Sequence, residues 1–88
     1  MIFMFYYTYV LYSLKDKKFY IGSTKDLKQR ISQHNKGKVL STKYRRPLKL
    51  IFYEAFNNYK DARRDELFYK SGHGREVLKA KIKNSFSK

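Results

Sequence analysis

Tyr9, Tyr20, Arg30, His34 and Glu66 are the side chains of this 88-residue chain whose types and spacing could do chemistry. The two tyrosines flank the charged stretch Lys15-Asp16-Lys17-Lys18, so a hairpin turning near residues 16 and 17 would bring them onto one face of a sheet. Each offers a phenol that can give or take a proton. In a chain with nine Tyr they could equally be amphipathic edges of a core. Arg30 and His34 are four apart, hence on one side of a helix, downstream of Gly22, where strand and helix can approach closely. A phosphate would fit there. The plainer alternatives are a basic surface residue and a histidine resting on a helix C-terminal dipole. Glu66 falls between Ala62 and Tyr69 on the inward side of a helical pattern, and a carboxylate buried without a partner is costly. A divalent cation or an arginine would satisfy it, and with seven acidic residues in the chain few others compete for a metal. The alternative is a solvated pair with Lys70, one helical turn on.

The elements that must hold these residues can be read from the hydrophobic pattern. Phe3 to Ser13 is rich in Tyr, Val, Leu, Phe and Thr and predicts a long strand. Phe19 to Ser23 predicts a second, joined to the first by a loop of about four residues. Ser23 or Thr24 can cap a helix reaching about Asn35, with Asp26 in its first turn against the dipole. Residues 36 to 47 combine Gly37, several cations and Pro47 without an apolar period, which predicts a basic, mobile arm. Leu48 to Phe56 predicts a third strand, Asn58 an N-cap, and Tyr59 to Lys70 a second helix. Ser71-Gly72-His73-Gly74 is expected to break it before a short amphipathic helix from Arg75 to about Asn84, carrying Val77, Leu78 and Ile82 inward. The expected fold is α+β: a three-stranded, mostly antiparallel sheet flanked by helices, in the order β-β-α-β-α-α, forming one domain over residues 1–88.

Composition narrows the partners. Twenty-one Lys and Arg against seven Asp and Glu give a net charge of +14. Such a surface attracts polyanions, because neutralising phosphates releases condensed counterions. An anionic membrane surface or a merely solvated basic face are the weaker readings. The absence of Cys excludes disulfides and thiolate zinc sites, and two His are too few for a zinc finger. A cytoplasmic location is expected. The uncharged segment Met1 to Leu14 lacks the basic start and small-residue cleavage site of a signal peptide and is too short to span a bilayer.

The residues also carry a resemblance. Tyr7-Thr8-Tyr9, followed eleven positions after Tyr9 by Tyr20-Ile21-Gly22, resembles the paired tripeptide signature of the GIY-YIG nuclease family. The second tripeptide matches to the letter, and the first keeps its final Tyr. Arg30 with His34 on the first helix, and Glu66 after Asp61-Ala62 on a later one, match the family's further pattern. The resemblance covers about residues 6 to 80. It is nearest to minimal bacterial and phage members and to the nuclease module of bacterial nucleotide excision repair, a DNA-repair system.

The resemblance implies a metal-dependent endonuclease that cuts DNA, with RNA as a second substrate class. Glu66 would anchor one Mg²⁺ or Mn²⁺, bound weakly without substrate. Arg30 would clamp the scissile phosphate with its planar, permanently charged fork. One of the two tyrosines would be the general base, Tyr9 being favoured over Tyr20, with the other its hydrogen-bonding partner or the positioner of water and His34 a further proton acceptor; the sequence leaves the order of the two open. A phenol of ordinary pKa near 10 is a poor base at neutral pH, so the surrounding cations are expected to lower it. Lys25, Lys28, Lys43, Arg45 and Arg46 are the expected nucleic-acid contacts, and Gly22 the structural residue of the motif. Asn84 stays unassigned. The expected assembly is a monomer or weak homodimer with no membrane contact. Two alternatives stand beside this reading: a non-catalytic nucleic-acid binder that uses its tyrosines for packing or stacking, and a module that docks on a larger complex through the tail from Arg75.

Overall fold

The computed structural model describes residues 4–86. The chain runs β1 (Tyr6–Ser13), β2 (Phe19–Thr24), α1 (Leu27–Asn35), a 3-10 turn (Lys43–Arg45), β3 (Leu48–Phe56), α2 (Tyr59–Lys70), α3 (Gly72–Lys81) and a last short helix, α4 (Lys83–Phe86). The expected α+β class and element order hold, and the sheet is wholly antiparallel. Its strand order is β2-β1-β3, so β1 is central and β2 lies at an edge. The predicted start of the first strand at Phe3 lies outside the described residues.

Strand alternation divides the residues of β1 between two cores. Tyr9 and Leu11 pack with Leu48, Leu50, Tyr20, Leu27 and Ile31 against α1. Val10 packs on the opposite face with Ile21, Phe52, Tyr69, Leu78 and Ile82 against α2 and α3. Register follows from the hairpin: Tyr9 lies opposite Gly22 and Leu11 opposite Tyr20, which sets both motif tyrosines on the α1 face. Lys17, at φ 62°, makes the turn. Removing a fully buried side chain such as Leu78 would cost about 2–5 kcal/mol.

Three local expectations are corrected. Asp26, not Ser23 or Thr24, caps α1: its carboxylate accepts from Gln29 N at 3.0 Å. The break after α2 falls as expected but is the single residue Ser71 rather than Ser71–Gly74, and the next helix begins at Gly72, not Arg75. Ser71 ends α2 and caps α3, its hydroxyl donating to Phe68 O and accepting from Gly74 N. Gly72 to Gly74 are therefore the first turn of α3, and a Cβ at Gly74 would collide with the Phe68 carbonyl. Residues 36–47 are pinned to the body rather than forming a free arm. Ser13 Oγ donates to Arg45 O at 2.6 Å, Leu14 N to Pro47 O at 2.9 Å, and Arg45 pairs with Asp16 at 2.6 Å. Loops lack an apolar period even when hydrogen bonds fix them, so the sequence pattern could not separate the two cases.

Candidate active site

The site forms where α1 and α2 both reach the rim of β2. Tyr9 is 1% exposed, and its ring crosses the space above Gly22: a Cβ there would lie 2.6 Å from Tyr9 Oη. Only glycine leaves room for the phenol to extend to the sheet edge. Tyr9 Oη then meets His34 Nε2 at 2.8 Å. The other ring nitrogen, Nδ1, lies 2.7 Å from Thr42 Oγ1, whose hydroxyl is directed toward the Val39 carbonyl. From this network we assign Nδ1 as the protonated nitrogen, so that it donates to Thr42 and the bare Nε2 accepts from Tyr9. His34 and Thr42 are both fully buried.

Tyr20 packs beside this chain of hydrogen bonds, its ring centroid 5.0 Å from that of His34 and 6.4 Å from that of Tyr9. Unlike Tyr9 it is only half-buried, and it is among the residues that line a groove running along β2. Arg30, partly buried, donates to Gln33 Oε1 at 3.1 Å and lies near enough to Tyr9 to act on its ionisation. Glu66 arrives from the opposite face and is 5% exposed. Its Oε1 accepts from Ser23 Oγ at 2.6 Å and from Arg63 at 2.9 Å, and its Oε2 accepts from Lys70 Nζ at 2.7 Å.

The electrostatics correct one expectation. Burial pushes the Tyr9 phenol up to about 12, with Tyr20 and Glu66 adding to the rise; Arg30 pulls it down but does not win. Cations around a phenol lower its pKa only where they outweigh its lost hydration, and here one cation acts on a group withdrawn from water. Burial, with the charge of Arg30, drives His34 down to about 4, so the imidazole is neutral. For Glu66 burial acts upward, but the hydrogen bonds from Lys70, Ser23 and Arg63 outweigh it and hold the carboxyl below its ordinary range.

Five separated positions therefore come together: Tyr9, Tyr20 and His34 touch one another beside Gly22, and Arg30 and Glu66 lie near enough to act on the Tyr9 phenol. Residues 5–81 match the family model of the GIY-YIG catalytic domain. The chain belongs to the GIY-YIG family. Its curated relatives include a UPF0213 protein from the ldhD 5′ region of Pediococcus acidilactici, 42% identical over 84% of this chain and 78% of that protein. The UPF0213 protein YazA of Bacillus subtilis is 44% identical over 64% of this chain and 58% of that protein. Among solved structures, a solution NMR structure of a UPF0213 protein from Bacillus halodurans matches with a TM-score of 0.54 and 35% identity, over 88% of this chain and 84% of that one. GIY-YIG domains are nuclease domains, which is the coarse functional class of this chain.

The other expected contacts scatter around the GIY-YIG site. Lys25 and Lys28 border a separate depression with Tyr7 and Leu50. Lys43 and Arg46 are exposed on the 36–47 segment, where Arg46 Nε donates to Lys43 O. Arg45 divides its guanidinium among Asp16 and the carbonyls of Lys18 and Phe19. Asn84 is exposed on α4. Sequence reasoning overlooks Ser23, Arg63 and Thr42 as partners of the site. Arg63 stands three residues before Glu66 on one helix, a spacing that could have indicated it. Thr42 meets His34 only through tertiary folding.

Proposed function

We propose that the chain is a metal-dependent endonuclease that hydrolyses DNA phosphodiesters by attack of water. The observation that carries this reading is the Tyr9–His34 contact, flanked by Tyr20, Arg30 and Glu66 at one open rim of a strongly basic protein. An anion clamp, a proton path and a carboxylate able to hold a cation are what phosphodiester hydrolysis requires.

A metal fits this donor set in one way. Among the described residues no three His, Cys, Asp or Glu side chains cluster, so Glu66 would be the protein ligand and substrate phosphate and water the others, an arrangement common for Mg²⁺. The ammonium of Lys70 and the guanidinium of Arg63 already sit on this carboxylate, marking it as a place for positive charge. Both partners are nearly half exposed and free to turn toward a phosphate instead. When bound, the ion lowers the pKa of water and polarises the phosphoryl oxygen.

The chain's own groups supply the rest. Arg30 holds the phosphate and offsets charge on its oxygens as it grows. Tyr9 need not become a free phenolate, which its pKa forbids at neutral pH. Its oxygen takes a proton from the attacking water as its own proton passes to the neutral His34 Nε2, with Thr42 holding the ring. As the water oxygen bonds to phosphorus, the bond to the leaving sugar oxygen breaks, and that oxygen takes its proton from solvent. The imidazolium, disfavoured by burial, then returns its proton through Tyr9 to solvent. Tyr20, half-buried beside Tyr9 and His34, orients that water.

The test is incubation of the purified protein with supercoiled plasmid in Mg²⁺, in Mn²⁺ and in EDTA, beside Glu66→Gln. Nicking that requires the metal and disappears in Glu66→Gln is expected. If both proteins bind DNA equally and neither cuts plasmid, branched DNA or RNA, the nuclease reading fails in favour of a binding module.

A further inference from the structure

A groove of about 1050 Å³ adjoins the site, between the β1–β2 hairpin and the start of α3. The hairpin contributes Tyr12, Phe19 and Tyr20 to its lining, and the helices contribute Lys70, Arg75 and Lys79. Asp16 is the one acidic residue among the described lining, and Arg45 neutralises it at 2.6 Å. Arg75 and Lys79 are one turn apart on the same side of α3. Tyr20 belongs to both groove and site, and Lys70 lines the groove while holding Glu66.

Cations beside an aromatic surface suit a particular form of nucleic acid. An unpaired strand offers base faces that stack on aromatic rings and a backbone that follows the charges. A duplex hides its base faces and presents phosphates and groove edges, so the aromatic lining would find no partner in it. Size points the same way. The volume is near the upper end of small-ligand pockets, ~300–1,000 Å³, which accommodates a few nucleotides. A duplex could reach the groove only with its phosphates, leaving Tyr12, Phe19 and Tyr20 without a base face.

We propose that this groove is a single-strand track, in which an unpaired nucleic-acid segment lies beside β2 and delivers a backbone phosphate to the Tyr20 end. The inference rests on the nuclease reading for what happens to that phosphate, but not for the binding itself. Lys70 gives the track a direct link to the metal-binding carboxylate.

Fluorescence anisotropy of the whole protein in EDTA tests it, using labelled oligothymidine and oligouridine of ~12 nucleotides and a blunt DNA duplex of equal length, all at one salt concentration. Binding to single strands about tenfold tighter than to duplex is expected, with Arg75→Gln/Lys79→Gln weakening the single strands about tenfold and the duplex less than about twofold. The amide signals of Tyr12, Phe19 and Lys79 should shift on adding the single strand. Whether DNA, RNA or both bind identifies the source of the strand, and any of these supports the track. Equal affinity for duplex, or equal weakening of all ligands in the double variant, would overturn it while leaving metal-dependent cleavage by the wild type untouched. Tight single-strand binding without cleavage of any substrate supports the track and removes the nuclease reading alone.

Discussion

Tyr9 and His34 share a 2.8 Å hydrogen bond between two buried side chains, the phenol 1% exposed and the imidazole fully buried. Tyr9→Phe keeps the ring that fills the core beside Leu11 and Leu48 but leaves Nε2 without a donor. Stability should fall by ~1–3 kcal/mol, the usual cost of a buried unsatisfied group. Cleavage should fall about 10²-fold or more, as for loss of a general base. Urea unfolding and plasmid nicking measure the two. A variant with full activity would remove Tyr9 from the proton path.

Two buried groups should give the stability profile opposing slopes in mildly acidic solution. His34 has a folded pKa of about 4, below its ordinary 6.5, so it favours the fold at neutral pH and loses that contribution as pH falls from about 6.5 to about 4. Asp65 is the reverse case. Burial and the neighbouring Glu54 carboxyl raise it to about 7 from 3.8. The folded protein keeps that proton where the unfolded chain has released it, so this contribution declines as pH rises from about 4 to about 7. A proton shared with Glu54 also accounts for Asp65 Oδ2, a buried atom with no other partner. Thermal melts from pH 4 to 7.5 should therefore differ in slope: His34→Gln should melt more steeply downward with rising pH than wild type, and Asp65→Asn should gain stability with rising pH. Parallel profiles for all three proteins would contradict both assignments.

The Lys70 ammonium holds Glu66 Oε2 at 2.7 Å, so under the proposed metal-dependent reaction it would compete with the ion for that oxygen. Lys70→Met should bind Mn²⁺ more tightly than wild type in the absence of nucleic acid, by about threefold to tenfold, in line with ~1 kcal/mol for a partly exposed ion pair. Electron paramagnetic resonance titration of free Mn²⁺ reads this without any turnover. Unchanged affinity would mean that the ammonium does not obstruct the ion.

Gly22→Ala should disturb the site more than the fold. Its Cβ would stand 2.6 Å from Tyr9 Oη and 2.7 Å from Cζ, and the buried phenol has little room to yield. A loss of ~1–3 kcal/mol from overpacking is expected. The displaced hydroxyl would move off His34, with cleavage reduced about tenfold or more. Unaltered cleavage would show that the phenol can shift without consequence.

Much of the fold is legible in the sequence, because strands and helices announce themselves by period. The bounds of β3 and α2 agree with the alternation and the Asn58 cap. Glu66 shows how far such legibility extends. Its inward position follows from Ala62 and Tyr69, and the folded chain gives it both a buried setting and the pair with Lys70. What is illegible depends on distance along the chain. Ser23 reaches Glu66 across 43 positions, and Thr42 meets His34 from a loop without a pattern. The direction of the Tyr9 pKa is hidden for a related reason. Charge can be counted in a sequence, whereas the desolvation opposing it depends on packing from three elements.

The edge position of β2 has a consequence for the protein's life in concentrated solution. A strand border with no neighbouring strand in the sheet is a template on which a second copy can add its own strand, the first step toward sheet-like aggregates, and here Arg45 covers the Phe19 carbonyl at one end of it. Lys17 and Lys18 at its start, with Arg75 and Lys79 alongside, set like charges against like whenever two such borders meet. Substitutions that neutralise them to probe nucleic-acid binding would also remove this repulsion, and self-association would then appear as a second phenotype of the same residues.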